Sequence, residues 1–151
     1  MKKYQPLVLI ASLALTSLSA SAQSFAKPED AIKYRKASFV VTAAHFGRIG
    51  AMAQGKAPFD AKVAAESADV VATMSKLPWA GFIEGSDVGE TKAKPEIWKQ
   101  AAKFKEAEDK FQQEAAKLQV AARGGKEADV KAAFTATAGA CKGCHDDFRN
   151  K

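Results

Sequence analysis

The sequence predicts an all-α fold, an antiparallel up-down four-helix bundle, on three observations. Apolar and polar residues nowhere alternate with the period of two that a half-buried strand requires. Ala, Lys, Glu and Gln are abundant, and apolar residues recur three and four positions apart. Proline and glycine divide the chain beyond residue 22 into four such stretches. With 151 residues, 47% of them hydrophobic, there is material for one core but hardly for two.

The first 22 residues stand apart. Lys2 and Lys3 precede an apolar run from Leu7 to Leu15, and Ala20-Ser21-Ala22 follows, the layout of a secretory signal peptide cleaved near Ala22-Gln23. The run is shorter than the roughly 20 residues a membrane-spanning helix needs. Residues 23–151 are therefore expected to form a single domain that works in the periplasm, free of the membrane. Cleavage takes the basic residues from 23 to 21 against an unchanged 17 acidic, so the net charge drops from +6 to +4. Bases and acids are mixed along stretches such as KQAAKFKEAEDK, as on a solvated helix face, which argues against a nucleic-acid partner. A mildly basic surface of this kind can steer an acidic partner protein, but no redox partner is identified by it.

Each helix has its own signals. The first opens at Pro28, suited to a first helical position, with Glu29 and Asp30 in its first turn, and is expected to end near Gly47 or Gly50. Gly55 and Pro58 punctuate the turn after it. The second helix takes Asp60 as its N-cap, repeats Val63, Ser67, Val70, Met74 and Leu77, and is stopped by Pro78. A long connection from Pro78 to Lys94 contains Trp79, Phe82 and three glycines, and connections of that length usually serve a function. The third helix opens at Pro95 and Glu96, carries Ile97, Phe104, Phe111, Leu118 and Ala122 inward, and ends at Gly124-Gly125. The fourth carries Val130, Phe134, Thr137, Cys141, Cys144 and Phe148.

Chemistry concentrates at the end of that fourth helix, in GACKGCHDDFRNK, residues 139–151. At about 100° per residue, Cys144 lies about 60° and His145 about 40° from Cys141, so the three share the core-facing stripe. Small residues just before Cys141, the TATAGA run, leave room for a bulky group. C-x-x-C-H is the attachment signature of c-type haem: two thiols add to neighbouring porphyrin vinyl groups and the next imidazole ligates the iron. The other readings are poorer. A thioredoxin-like dithiol needs a strand entering its helix. A disulfide closing so short a loop removes little chain entropy. Zinc needs a fourth ligand, for which only His45 remains as an imidazole.

With that motif near its end, and with KPEDAIKYRKASF, HFGRIG, LPWAGF, KPEIW and CKGCHDDFR along it, the chain from Phe25 onward resembles cytochrome c′, the class II c-type cytochrome family. The resemblance implies one covalent haem c per chain, tethered by Cys141 and Cys144, with His145 as the axial iron ligand and the other axial position open. It places Phe39 over that open position, where low-spin relatives carry methionine, and Phe cannot ligate iron. His45, Met52 and Met74 are expected elsewhere, the first as a surface histidine and the last as packing. Arg35, one helical turn before Phe39, is expected to meet a haem propionate, with Lys36 and Thr91 as further propionate contacts. Trp79, Phe82 and Phe104 are expected to wall the haem. Arg149, one turn beyond His145, is expected in the proximal pocket, within reach of an NO that has displaced His145; its simpler role is that of a helix-end cation. The family also implies homodimers through the first two helices.

The function that follows is binding of small uncharged gases, NO and CO, at a five-coordinate, mainly high-spin iron behind an apolar guard, in NO sequestration or resistance to nitrosative stress. The alternative is an electron-transfer cytochrome cycling Fe(III)/Fe(II). No distal histidine or acid–base pair is available for cleaving an O–O bond, so no catalytic residue is assigned.

Overall fold

A computed structural model describes residues 25–151; the expected signal peptide and its cleavage site lie outside the described residues. Helices α1 (Pro28–Ala53), α2 (Ala61–Met74), α4 (Ala101–Arg123) and α5 (Glu127–Phe148) form the bundle, and α3 (Glu96–Lys99) is a single turn in the long connection. Packing runs α1 on α2, α2 on α4 and α4 on α5, and α5 closes the ring on α1. The short turns after α1 and α4 place one end of the bundle, and the long connection and the end of α5 place the other.

Three boundaries differ from the sequence expectation. Helix α1 runs through Gly47 and Gly50 to Ala53, because Ile49, Met52 and Ala53 are buried and keep the helix in the core. Gly50 serves packing: a Cβ there would lie 3.0 Å from Phe134 Cζ. The stop is Gly55, whose φ of +70° most residues resist. Helix α2 begins as expected, with Asp60 Oδ1 accepting from Val63 N at 3.0 Å. It ends at Met74, not at Leu77; Ser75 Oγ donates to Ala72 O at 2.8 Å and Pro78 begins a 3₁₀ turn, Pro78–Gly81. The third expected helix is broken at Gln100 (φ −120°, ψ 47°). Ile97 is buried and Trp98 Nε1 donates to Phe82 O at 3.2 Å, so α3 belongs to the connection and α4 to the bundle.

The interior has two characters. Toward the short turns, Ile49, Met52, Ala64, Ala68, Leu118, Ala122 and Val130 make an aliphatic core, flanked by Phe46 stacked on Phe134 with centroids 4.5 Å apart. Burial of these apolar side chains, each at about 25 cal/mol per Å², supplies the main drive for closing the bundle. Midway, Val71, Phe111 and Ala115 form a smaller cluster against which Cys141 and Trp79 pack. Toward the long connection the filling becomes aromatic, and the cysteine-histidine motif lies there.

Candidate haem site

Helix α5 presents Cys141, Cys144 and His145 on its last two turns. Both thiols are free and half-buried. Burial pushes both thiol pKa values up, that of Cys144 to about 11 with Cys141 and Asp147 adding to the effect. His145 is exposed, so the expectation that all three groups face the core holds for Cys141 and only in part for the others. Its imidazole sits at the edge of the stripe, about three turns beyond the Phe46–Phe134 contact between α1 and α5. Desolvation still lowers the His145 pKa, Arg149 lowers it further and Asp146 opposes. The ring is thus neutral at pH 7, the form that can donate a lone pair to a metal.

An aromatic set lies at the same end. Phe39 meets Trp79 edge-on at 6.2 Å and Phe82 at 6.4 Å; Phe82 meets Phe104 at 4.9 Å, and Phe104 meets Phe148 of α5 at 5.2 Å. Each contact lies in the range where edge-to-face rings attract. Trp79 is fixed by an indole N–H donated to Ser75 O at 2.6 Å. The four aromatic residues picked from the sequence therefore touch one another although they come from α1, the connection and α4.

Arg35 is buried, and its guanidinium holds the connection onto α1. Nη1 donates to Gly81 O (2.7 Å) and Ser86 Oγ (2.6 Å); Nη2 donates to Ser86 O (2.5 Å) and Thr91 Oγ1 (2.8 Å). Its Cζ lies 4.6 Å from the centre of the Phe82 ring, a cation–π contact. Burial lowers the Arg35 pKa to about 10, with Asp87 opposing, so the charge persists at neutral pH. Beside it, Lys36 Nζ donates to Glu90 O at 3.1 Å. Arg35, Lys36 and Thr91, expected from the resemblance as propionate contacts, converge here on one another and on the backbone of the connection. All four terminal N–H groups of Arg35 go to protein acceptors, leaving Nε as the one donor for a propionate.

Comparison with known proteins bears on the same elements. The family model described as Cytochrome C' matches residues 30–149. The chain belongs to the cytochrome c′ family. It is 56% identical over 128 residues to cytochrome c′ of Rubrivivax gelatinosus, covering 84% of this chain and 99% of that protein. It is 44% identical to that of Alcaligenes xylosoxydans over 84% of this chain and 98% of that protein. Among solved structures, the Rubrivivax protein superposes with a TM-score of 0.81, covering 84% of this chain and all of that one. Cytochrome c prime from Shewanella frigidimarina reaches 0.83 at 47% identity over 85% of this chain and all of that one. A nitric oxide complex of a cytochrome c prime variant from Alcaligenes xylosoxidans reaches 0.79 at 44% identity, over 85% of this chain and 99% of that one.

Cytochromes c′ carry covalently bound haem c with iron in a four-helix bundle, and this cytochrome c′ has residues that fit the group. Two thiols and a neutral imidazole stand on adjacent turns of one helix, and an apolar ring set lies beside them for a flat macrocycle to pack on. The small residues around Cys141 do leave open space: Ala136, Gly139, Ala140 and Gly143, together with Cys144, line a groove of about 450 Å³ against Ala107, Lys110 and Glu114 of α4. Those small residues lie mostly more than 90° around α5 from His145, and Thr137, which does face inward, is fully buried and donates to Ala133 O and Glu114 O.

Arg149 follows the end of α5 in extended conformation (φ −125°, ψ 130°), and its N–H donates to His145 O at 3.1 Å. It is close enough to influence His145, and its side chain is exposed. His45 differs from expectation: its Nδ1 is buried without a hydrogen-bond partner, so it is not a plain surface histidine. Met52 is committed elsewhere, its Sδ accepting from Asp60 N at 3.3 Å in the aliphatic core. Met74 is half-buried, as packing requires. Sequence reasoning missed Ser86, fully buried within the Arg35 network, and Gly81, where a Cβ would lie 2.7 Å from Ala31 O. Three glycines in one connection were the available signal for Gly81; nothing local marks Ser86.

Proposed function

We propose that this cytochrome c′ is a periplasmic gas-binding haem protein whose iron has one protein ligand, His145, and whose other face is guarded by Phe39. Cys141 and Cys144 are assigned as the thioether tethers, and residues 1–22 as the export signal that delivers the chain to where such attachment occurs. When bound, the haem supplies an iron able to take up NO or CO. The observation that carries the reading is the placement of Phe39 in the aromatic set, while the thioether of Met52 is engaged at the opposite end of α1. Phe39 gives a bound ligand no hydrogen bond and crowds it, which disfavours water, anions and polar dioxygen relative to NO and CO. Trp79, Phe82 and Phe104 exclude water from the same space. Arg35, with Lys36 and Thr91, holds the connection in place over it, and Arg35 Nε remains for a propionate. Arg149 is assigned to the proximal side, next to His145. The set offers no acid–base pair, so binding and not catalysis is assigned. The exposed Val40, Val41 and Val63 on α1 and α2 are read as the contact between two copies.

Rapid mixing of the ferrous protein with CO and with NO tests the guard. Phe39→Ala is expected to speed CO binding by at least tenfold, and an unchanged rate would remove Phe39 from the binding face. Acid-acetone extraction tests the tethers: haem should stay with the polypeptide in the unaltered protein and be released from Cys141→Ala/Cys144→Ala.

A further inference from the structure

An α-helix leaves its last four carbonyls without intrahelical donors, and a helix that presents a metal ligand in its last turn must supply those donors or fray. In α5 the last four carbonyls belong to His145, Asp146, Asp147 and Phe148. His145 O accepts from Arg149 N at 3.1 Å. The other three are all served by one residue of the long connection, Lys94: its ammonium donates to Asp146 O at 3.0 Å and Asp147 O at 3.1 Å, and its peptide N–H donates to Phe148 O at 3.0 Å. Asn150 N donates back to Lys92 O at 2.8 Å, so residues 92–94 and 148–150 pair antiparallel about Ala93 and Arg149. Pro95 favours the extended backbone that this pairing requires of Lys94. The ammonium also lies at the negative end of the α5 dipole. Lys103 braces the same turn, with Nζ 3.0 Å from Asp147 Oδ2 and 5.9 Å from the centre of the Phe148 ring.

The other end of the connection is fastened to α1 by Arg35, through Gly81, Ser86 and Thr91. One strap therefore links the helix that carries Phe39 to the turn that carries His145. We propose that Lys94 is a positioning residue for His145: by completing the carbonyl end of α5 it holds the imidazole turn rigid and resists its displacement from iron by NO. The proposal rests on the assignment of His145 as axial ligand.

The test uses the haem-loaded protein and its Lys94→Met and Lys94→Arg variants. Amide exchange in residues 145–151 should rise about five- to tenfold in Lys94→Met while that of α2 stays unchanged. In the same variant the ferrous iron–imidazole stretching band should shift or broaden, and conversion of the six-coordinate to the five-coordinate NO complex should quicken severalfold. Lys94→Arg, which keeps a cation with several donors, should retain most of the unaltered protein's behaviour in all three measurements. If the unaltered protein shows no iron–imidazole band, the assignment of His145 is wrong and the proposal falls with it. If the band is present but band, exchange and NO conversion are the same in Lys94→Met, the strap does not position His145 and the proposal alone is overturned.

Discussion

Replacing Arg35 by Met keeps most of the apolar stem and removes the guanidinium that ties the connection to α1. Of its four acceptors, Ser86 Oγ retains its bond to Ile83 O and Thr91 Oγ1 still accepts from Ala93 N. The carbonyls of Gly81 and Ser86 lose the donors described here. Each buried acceptor left unpaired costs about 1–3 kcal/mol, and relief from burying a charge returns part of that. Arg35→Met should therefore cost about 2–4 kcal/mol, a large share of the roughly 5–15 kcal/mol of a typical domain. At about 4 °C per kcal/mol for a domain of this size, the melting temperature should fall on the order of 10 °C. Urea unfolding of the haem-loaded protein, followed by circular dichroism, gives the same quantity from the midpoint at constant slope. Arg35→Lys should recover only part of the loss, since an ammonium cannot span the four acceptors as the planar fork does. A change below about 0.5 kcal/mol in Arg35→Met would refute the clamp, because surface substitutions alone reach that size.

Other substitutions test neighbouring parts of the account. Gly81→Ala puts a methyl group 2.7 Å from Ala31 O and 2.9 Å from Arg35 Cβ, and should cost about 1–3 kcal/mol by the same urea assay. Trp79→Phe keeps the ring contacts but loses the indole bond to Ser75 O, a loss of about 1 kcal/mol in the unfolding midpoint. Glu114 is held below its ordinary pKa of 4.5 by Lys110 first and then Lys117. A depressed carboxyl pKa contributes stability that is full above 4.5 and is lost as pH falls through the lower native value. Glu114→Gln should therefore lower stability at neutral pH and flatten the loss as pH falls below 4.5, read from urea midpoints at a series of acid pH values.

What the sequence made visible depended on how far apart the cooperating residues lie in it. The Cys141, Cys144 and His145 constellation is local, and five consecutive residues suffice to reveal it. Pro28 and Asp60 mark helix starts through local backbone chemistry, and both hold in the structure. Gly50 misleads because the same residue that ends one helix lets an aromatic ring approach another; only the position of Phe134 tells which. Arg35 and its partners are 46 to 56 residues apart, and no spacing rule connects them. Lys94 caps carbonyls 52 and 53 residues away, and its sequence context shows only a lysine before a proline. The small residues before Cys141 signal open space, but its direction depends on how α5 is turned against α4.

The central claim is an iron with one protein ligand beneath an apolar guard, and coordination number tests it most directly. Absorption and resonance Raman spectra of the purified protein, taken oxidised, reduced and reduced with CO, are predicted to show mainly high-spin, five-coordinate iron that shifts when CO is added. A sharp low-spin reduced spectrum that CO leaves unchanged would contradict the account.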